Sequence, residues 1–203
     1  MKALVLVDIQ NDFMPFGALP VADGDAVVPV ANALMPRFSL VVATQDWHPS
    51  DHGSFASNRP GASPGDMVSL GGVEQVLWPD HCVQGSPGAG FHSALDVARI
   101  DVVIRKGENP GVDSYSGFFD NDHETATGLG DLLTRSAVDE IIVLGLATDY
   151  CVKATVLDAI GLGFGVTVVT DGCRPVELAP GDGERALAKM HAEGVRLLTS
   201  DKV

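Results

Sequence analysis

A chain of 203 residues, 45% of them hydrophobic and 20% charged, has the size and composition of one globular domain. Thirteen basic against 27 acidic residues leave a formal charge of −14, which argues against nucleic acid or an anionic membrane surface as a partner. No apolar run reaches the ~20 residues that span a bilayer, the start Met1–Asp8 has no cleavage-site pattern, and three cysteines (Cys82, Cys151, Cys173) are too few for a disulfide framework, so a reducing cytoplasm is expected.

The first apolar run, residues 3–7, reads as a buried strand ending at Asp8, with Ile9-Gln10-Asn11-Asp12-Phe13 behind it. A helical pattern over about 25–38 leads to a second run, 40–44, which ends in Thr44-Gln45-Asp46-Trp47-His48. The rhythm then breaks. Residues 46–92 are rich in Gly, Pro, Ser and His and are too long for an ordinary connection, so they read as a metal-binding loop insertion. A third run, 101–105, ends in Arg105-Lys106-Gly107-Glu108-Asn109. Helical patterns at about 122–136, 149–162 and 182–193 alternate with runs at 140–146, 165–170 and 195–198. Short apolar strands alternating with helices predict an α/β domain over residues 1–203, a Rossmann-like three-layer α/β/α arrangement around a mostly parallel sheet. In such sheets the ligand sits beyond the carboxyl ends of the strands. Asp8, Asp46 with His48, Lys106, and the segment after residue 146 share that edge.

After Ile141-Ile142-Val143-Leu144-Gly145, the spacing of Val152, Val156, Leu157 and Ile160 predicts a helix. Thr148 or Asp149 as N-cap would place Cys151 in its first turn, where backbone N–H groups and the helix dipole favour a thiolate. Asp8 can serve such a thiol as general base or acid, and an ammonium at Lys106 would organise both. Taken singly, each has an ordinary alternative: a small buried hydrophobe, a carboxylate capping a turn, a surface lysine at a strand end. The N–H groups of Ala147 and Cys151 are placed to face an oxyanion when Cys151 attacks an amide.

Asp46 and His48, at i and i+2 of an extended segment, point to the same side. Carboxylate and imidazole suit zinc, manganese or ferrous iron, but not copper(I). His81 is the best third ligand, with His52 and Ser54 able to approach. Cys82, next to His81, is set aside because two consecutive ligands are geometrically awkward. Phe13, Trp78 and Tyr115 supply a stacking slot for a planar small-molecule substrate.

The segments VDIQNDF, TQDWHPSDHGSF, WPDHCVQGS, KGENPGVDSYSGFF, GLATDYCV and TDGCR, in order from residue 7 to residue 174, resemble the bacterial nicotinamidase/pyrazinamidase group of the isochorismatase-like cysteine hydrolases. The resemblance implies hydrolysis of nicotinamide to nicotinate and ammonia in NAD salvage, with one divalent metal ion, zinc foremost and iron or manganese as the others. By position it puts the nucleophile on Cys151, the general base on Asp8 and the family lysine on Lys106, with the oxyanion hole at Ala147 and Cys151. The metal ligands fall on Asp46, His48 and His81, with Ser54 reaching the metal only through water and His52 outside the ligand set. Phe13 and Trp78 would pack the ring, and the Leu146–Ala147 peptide would be cis. Other readings are a carbamoyl-amide hydrolase of the same fold, a metallohydrolase whose metal-bound water attacks, and a non-enzymatic nicotinamide or metal binder. Neither the residues nor the resemblance specifies an oligomeric state.

Overall fold

The computed structural model describes residues 1–203. Its centre is a six-stranded sheet of β1 (Lys2–Val7), β2 (Val41–Asp46), β5 (Val102–Lys106), β6 (Glu140–Leu146), β7 (Gly165–Arg174) and β8 (Arg196–Leu198), ordered β5-β2-β1-β6-β7-β8 with every pair parallel. Ala3 to Val7 are wholly buried, as a strand covered on both faces requires. Helix α1 (Val27–Leu34) connects β1 to β2, moving one way across the sheet, whereas α3 (Lys153–Gly161) and α4 (Asp182–Ala192) connect β6, β7 and β8, moving the other way. Right-handed crossovers that run in opposite directions put their helices on opposite faces. Three layers result, with the reversal of direction between β1 and β6. A ligand site is expected beyond the strand ends at that reversal.

The register brings the polar strand ends together. Asp46 and Lys106 are Cα partners across β2 and β5, and Val7, the last residue before Asp8, is paired with Gly145 of β6. Gly145 has φ +130°, and a Cβ there would overlap the Val7 carbonyl, so only glycine lets β6 lie this close to β1. Asp8 turns off the strand at φ +47°, a left-handed conformation that aspartate tolerates better than branched residues do.

Several elements differ from the sequence pattern. Within residues 46–92 lies an antiparallel hairpin, β3 (Met67–Leu70) and β4 (Val73–Val76), which stands apart from the main sheet. Its four-residue strands are too short to show periodicity. The helix expected from residue 122 begins only at Leu129 (α2, Leu129–Arg135), after Gly128 at φ +96°. The helix expected from residue 149 opens as a π turn over Thr148–Val152 and becomes α-helical at Lys153. No helix is long and apolar enough to cross a membrane.

Candidate active site

Lys106 lies at the centre of the constellation. As the last residue of β5 it is 2% exposed, and its ammonium meets the Asp8 carboxylate at 2.9 Å, Asp46, the Ser114 carbonyl at 2.9 Å and the Cys151 sulfur at 3.4 Å. Burial by itself would pull its pKa down. Asp46, Asp8 and Cys151 outweigh burial and hold the ammonium well above its ordinary value. Asp46 shows the converse: burial would raise it, but Lys106 and then His48 keep it an anion. For Asp8 burial prevails over the pull of Lys106, and its carboxyl is raised. Asp8 Oδ1 accepts the Thr44 hydroxyl at 2.6 Å, whereas Oδ2 faces the Lys106 ammonium at 2.9 Å. Ligating atoms of Asp8, Asp46 and Cys151 lie within 4.8 Å of one another, so the Asp8 carboxylate is within reach of the thiol.

The local structure around Cys151 corrects one expectation. Thr148 and Asp149 do not cap the helix; the Asp149 carboxylate accepts the Val176 and Glu177 amides, both at 2.9 Å, and ties down the segment after β7. Burial pushes the Cys151 thiol well above its ordinary pKa, with Lys106 opposing and Asp8 and Asp46 adding to the rise. One turn of π helix does not offset burial beside two carboxylates, so the thiolate is disfavoured.

Asp46, His48 and His81 present one ligand atom each, all within 4.8 Å of one another and all buried. The Asp46 Oδ2 is 3.6 Å from His48 Nε2 and 3.9 Å from His81 Nε2. One carboxylate oxygen and two imidazole nitrogens converging on a common point fit a divalent cation. The distal nitrogens are already engaged, His48 Nδ1 by the Gly107 carbonyl and His81 Nδ1 by the Pro79 carbonyl, both at 2.8 Å, which leaves Nε2 of each for a metal. His52 instead pairs through Nδ1 with the Ser54 hydroxyl at 2.7 Å. Cys82 is buried, and its amide is held by Asp12 at 2.7 Å.

The trio and Cys151 open onto one cavity of about 340 Å³, its mouth included, which Phe13, Trp78, Tyr115 and Ala147 also line. Four of its residues, Leu19 among them, were not legible as pocket residues. Tyr150 packs edge-on against Trp78 and Tyr115, with ring centroids 4.9 and 5.4 Å away. Asp113 is a buried carboxylate in the wall, and Val176 follows β7. Gln10 is a further missed residue: its amide donates to the Asp46 carbonyl and accepts the Asp46 N–H, both at 2.8 Å, clamping the backbone beneath the carboxylate. A side chain that pairs with backbone has no sequence signal. The Leu146–Ala147 peptide is cis, and the Ala147 N–H donates to no protein group.

The model of the isochorismatase domain matches residues 2–202. The chain belongs to the isochorismatase family. Among members of that family, the nicotinamidase of Escherichia coli is 53% identical over 202 residues, spanning 98% of this chain and 94% of that one. The solved structure of the Acinetobacter baumanii nicotinamidase/pyrazinamidase superposes with a TM-score of 0.96 at 45% identity, covering 99% of this chain and 97% of the other. The pyrazinamidase of Pyrococcus horikoshii in complex with zinc superposes at 0.81 with 38% identity, covering 98% of each chain. Isochorismatase-family similarity thus spans the sheet, the loop with the hairpin, and all four strand ends of the site.

Proposed function

We propose that this protein is a nicotinamidase, which hydrolyses nicotinamide to nicotinate and ammonia in NAD salvage and accepts pyrazinamide-type carboxamides. The observation that carries the reading is the meeting of Asp8, Lys106 and Cys151 beside an Asp46, His48, His81 trio in one aromatic-lined cavity. The Asp8 carboxylate takes the thiol proton while Lys106 offsets the charge that develops on sulfur. Sulfur attacks the carboxamide carbon, and the Ala147 and Cys151 amides receive the oxyanion. As the C–N bond breaks, Asp8 returns its proton to the nitrogen, which leaves as ammonia. Asp8 then takes a proton from water as the water attacks the thioester. Nicotinate departs, and the proton returns to sulfur. Asp46, His48 and His81 would hold a divalent ion, zinc ahead of iron or manganese, which would supply a Lewis-acid contact for the pyridine nitrogen. Phe13 and Trp78 pack the ring. The buried free thiols Cys82, Cys151 and Cys173 fit a reducing cytoplasm.

The deciding experiment measures ammonia released from nicotinamide and from carbamoyl substrates, before and after thiol alkylation. Release from nicotinamide that is lost on alkylation, and protected by nicotinate, is the expected result. Preference for a carbamoyl substrate would move the protein to that branch of the fold. Activity surviving complete alkylation of Cys151 would replace the covalent route with attack by metal-bound water.

Gly107 offers a separate check on the metal trio. It sits at φ +67°, and a Cβ there would overlap the His48 ring that its own carbonyl orients. Gly107→Ala should weaken zinc binding about 10- to 100-fold, the range for displacing a group that orients a ligand. Metal content after dialysis against graded chelator reads this directly; wild-type retention would show that His48 does not bind the ion.

A further inference from the structure

We infer that Gln75, on the outlying β3–β4 hairpin, is a positioning residue that aims Tyr115 at the ligand and so sets affinity for the pyridine ring without touching it. The inference rests on the nicotinamidase reading and names what that site uses for recognition. The hairpin's other strand residues are exposed or half-buried apart from Leu70, yet Gln75 is 1% exposed. Burying a polar amide in an exposed hairpin is unfavourable unless its hydrogen bonds are made. They are made to the pocket wall. The two hydrogens of the amide nitrogen are shared among three acceptors, the Tyr115 hydroxyl and Asp113 Oδ2, both at 2.8 Å, and the Val76 carbonyl at 2.7 Å, and the amide oxygen accepts Asn121 Nδ2 at 3.2 Å. The orientation is forced, because a flipped amide would set its oxygen against a carboxylate and a carbonyl.

The Tyr115 hydroxyl receives a second donor, the Trp78 indole N–H at 3.1 Å. Neither an indole nitrogen nor an amide nitrogen accepts, so the phenol oxygen is the acceptor for both. Its own hydrogen has no protein acceptor and is free for one in the cavity that Tyr115 lines. Burial and the neighbouring Asp113 carboxylate keep the phenol protonated. Tyr115 and Trp78 both lean on Tyr150, so one amide outside the sheet fixes the stance of three rings. Asp113, the anion that holds the amide in place, lines the same cavity.

Gln75→Leu keeps the side-chain bulk and removes the hydrogen bonds. KM for nicotinamide and the Kd for nicotinate, read by calorimetry, should each rise about ten-fold, the size of one to two ordinary hydrogen bonds. kcat should stay within about two-fold and zinc content should hold, a split that a general loosening of the fold would not produce. Tyr115→Phe should give the same split. In the double variant the two losses should not multiply, because Gln75 acts through the Tyr115 hydroxyl. Multiplicative losses would overturn the assignment, as would a fall in kcat or zinc content at unchanged KM. If Gln75→Leu does not fold, Tyr115→Phe decides alone: unchanged KM and Kd overturn the proposal. Nicotinate binding needs no turnover, so a wild-type protein that binds nicotinate but releases no ammonia removes the activity and still leaves Gln75 tested. A wild-type protein that binds no nicotinate removes both.

Discussion

Cys151→Ala is expected to lower kcat for nicotinamide by on the order of 10⁵-fold, the loss typical when a nucleophile acting as part of a unit is deleted. The same variant should retain its metal and bind nicotinate with little change, because Asp46, His48 and His81 do not depend on the thiol. Removing the sulfur also relieves a site in which burial already disfavours charge, so the melting temperature should not fall by more than a few degrees, as an exchange of a small buried side chain predicts. Ammonia release, metal content and thermal melting of one preparation check all three. Residual turnover within about a hundred-fold of wild type would mean that sulfur is not the attacking atom, since a misplaced general base alone accounts for a loss of that size.

Lys106→Met should be the most damaging exchange for the fold as well as for the reaction. In the wild-type protein one buried ammonium faces Asp8 and Asp46 together. Methionine fills the space but leaves two buried carboxylates with no cation between them. Breaking a buried ion pair from one side destabilises by about 3–5 kcal/mol, which in a chain of this size lowers Tm by roughly 10 °C. The pH dependence carries the signature. The folded pKa of Asp8 is already raised by burial, and loss of the ammonium raises it further. A carboxyl whose folded pKa exceeds its unfolded value makes the folded state the better proton binder, so stability is gained as pH falls through that folded pKa. The stability gap between variant and wild type should therefore narrow from about pH 8 to about pH 5, a window above the unperturbed carboxyl range. Paired denaturant titrations measure it; a gap that widens on acidification would mean that Lys106 is not what holds Asp8 and Asp46 together.

What the sequence reveals here follows from how each residue is supported. Asp8 follows β1, Asp46 and Lys106 end β2 and β5, and Cys151 comes five residues after β6; buried parallel strands write themselves as unbroken apolar runs such as Ala3–Val7 and Ile141–Leu144. Their convergence then follows from strand order. Tyr150 is hidden because nothing in its spacing separates it from a surface aromatic. Gln10 and Gln75 act through amides that meet backbone and side chains 36 to 40 positions away, contacts that only the fold creates. The helix start that favours a Cys151 thiolate is visible in the sequence, whereas the burial that opposes it is not.

The acidity of the chain acquires a meaning beside the cavity. Asp46 and Asp113 line it, Asp8 lies within reach of the Cys151 sulfur, and Lys106 is the one ammonium bonded to that sulfur, all inside a molecule of formal charge −14. Nicotinamide carries no net charge, so it approaches this field without being turned away. Nicotinate is an anion, and once it has left Lys106 and the metal trio the chain's formal charge of −14 opposes its return. The surface charge thereby separates the two ends of the reaction, in addition to keeping the protein dispersed.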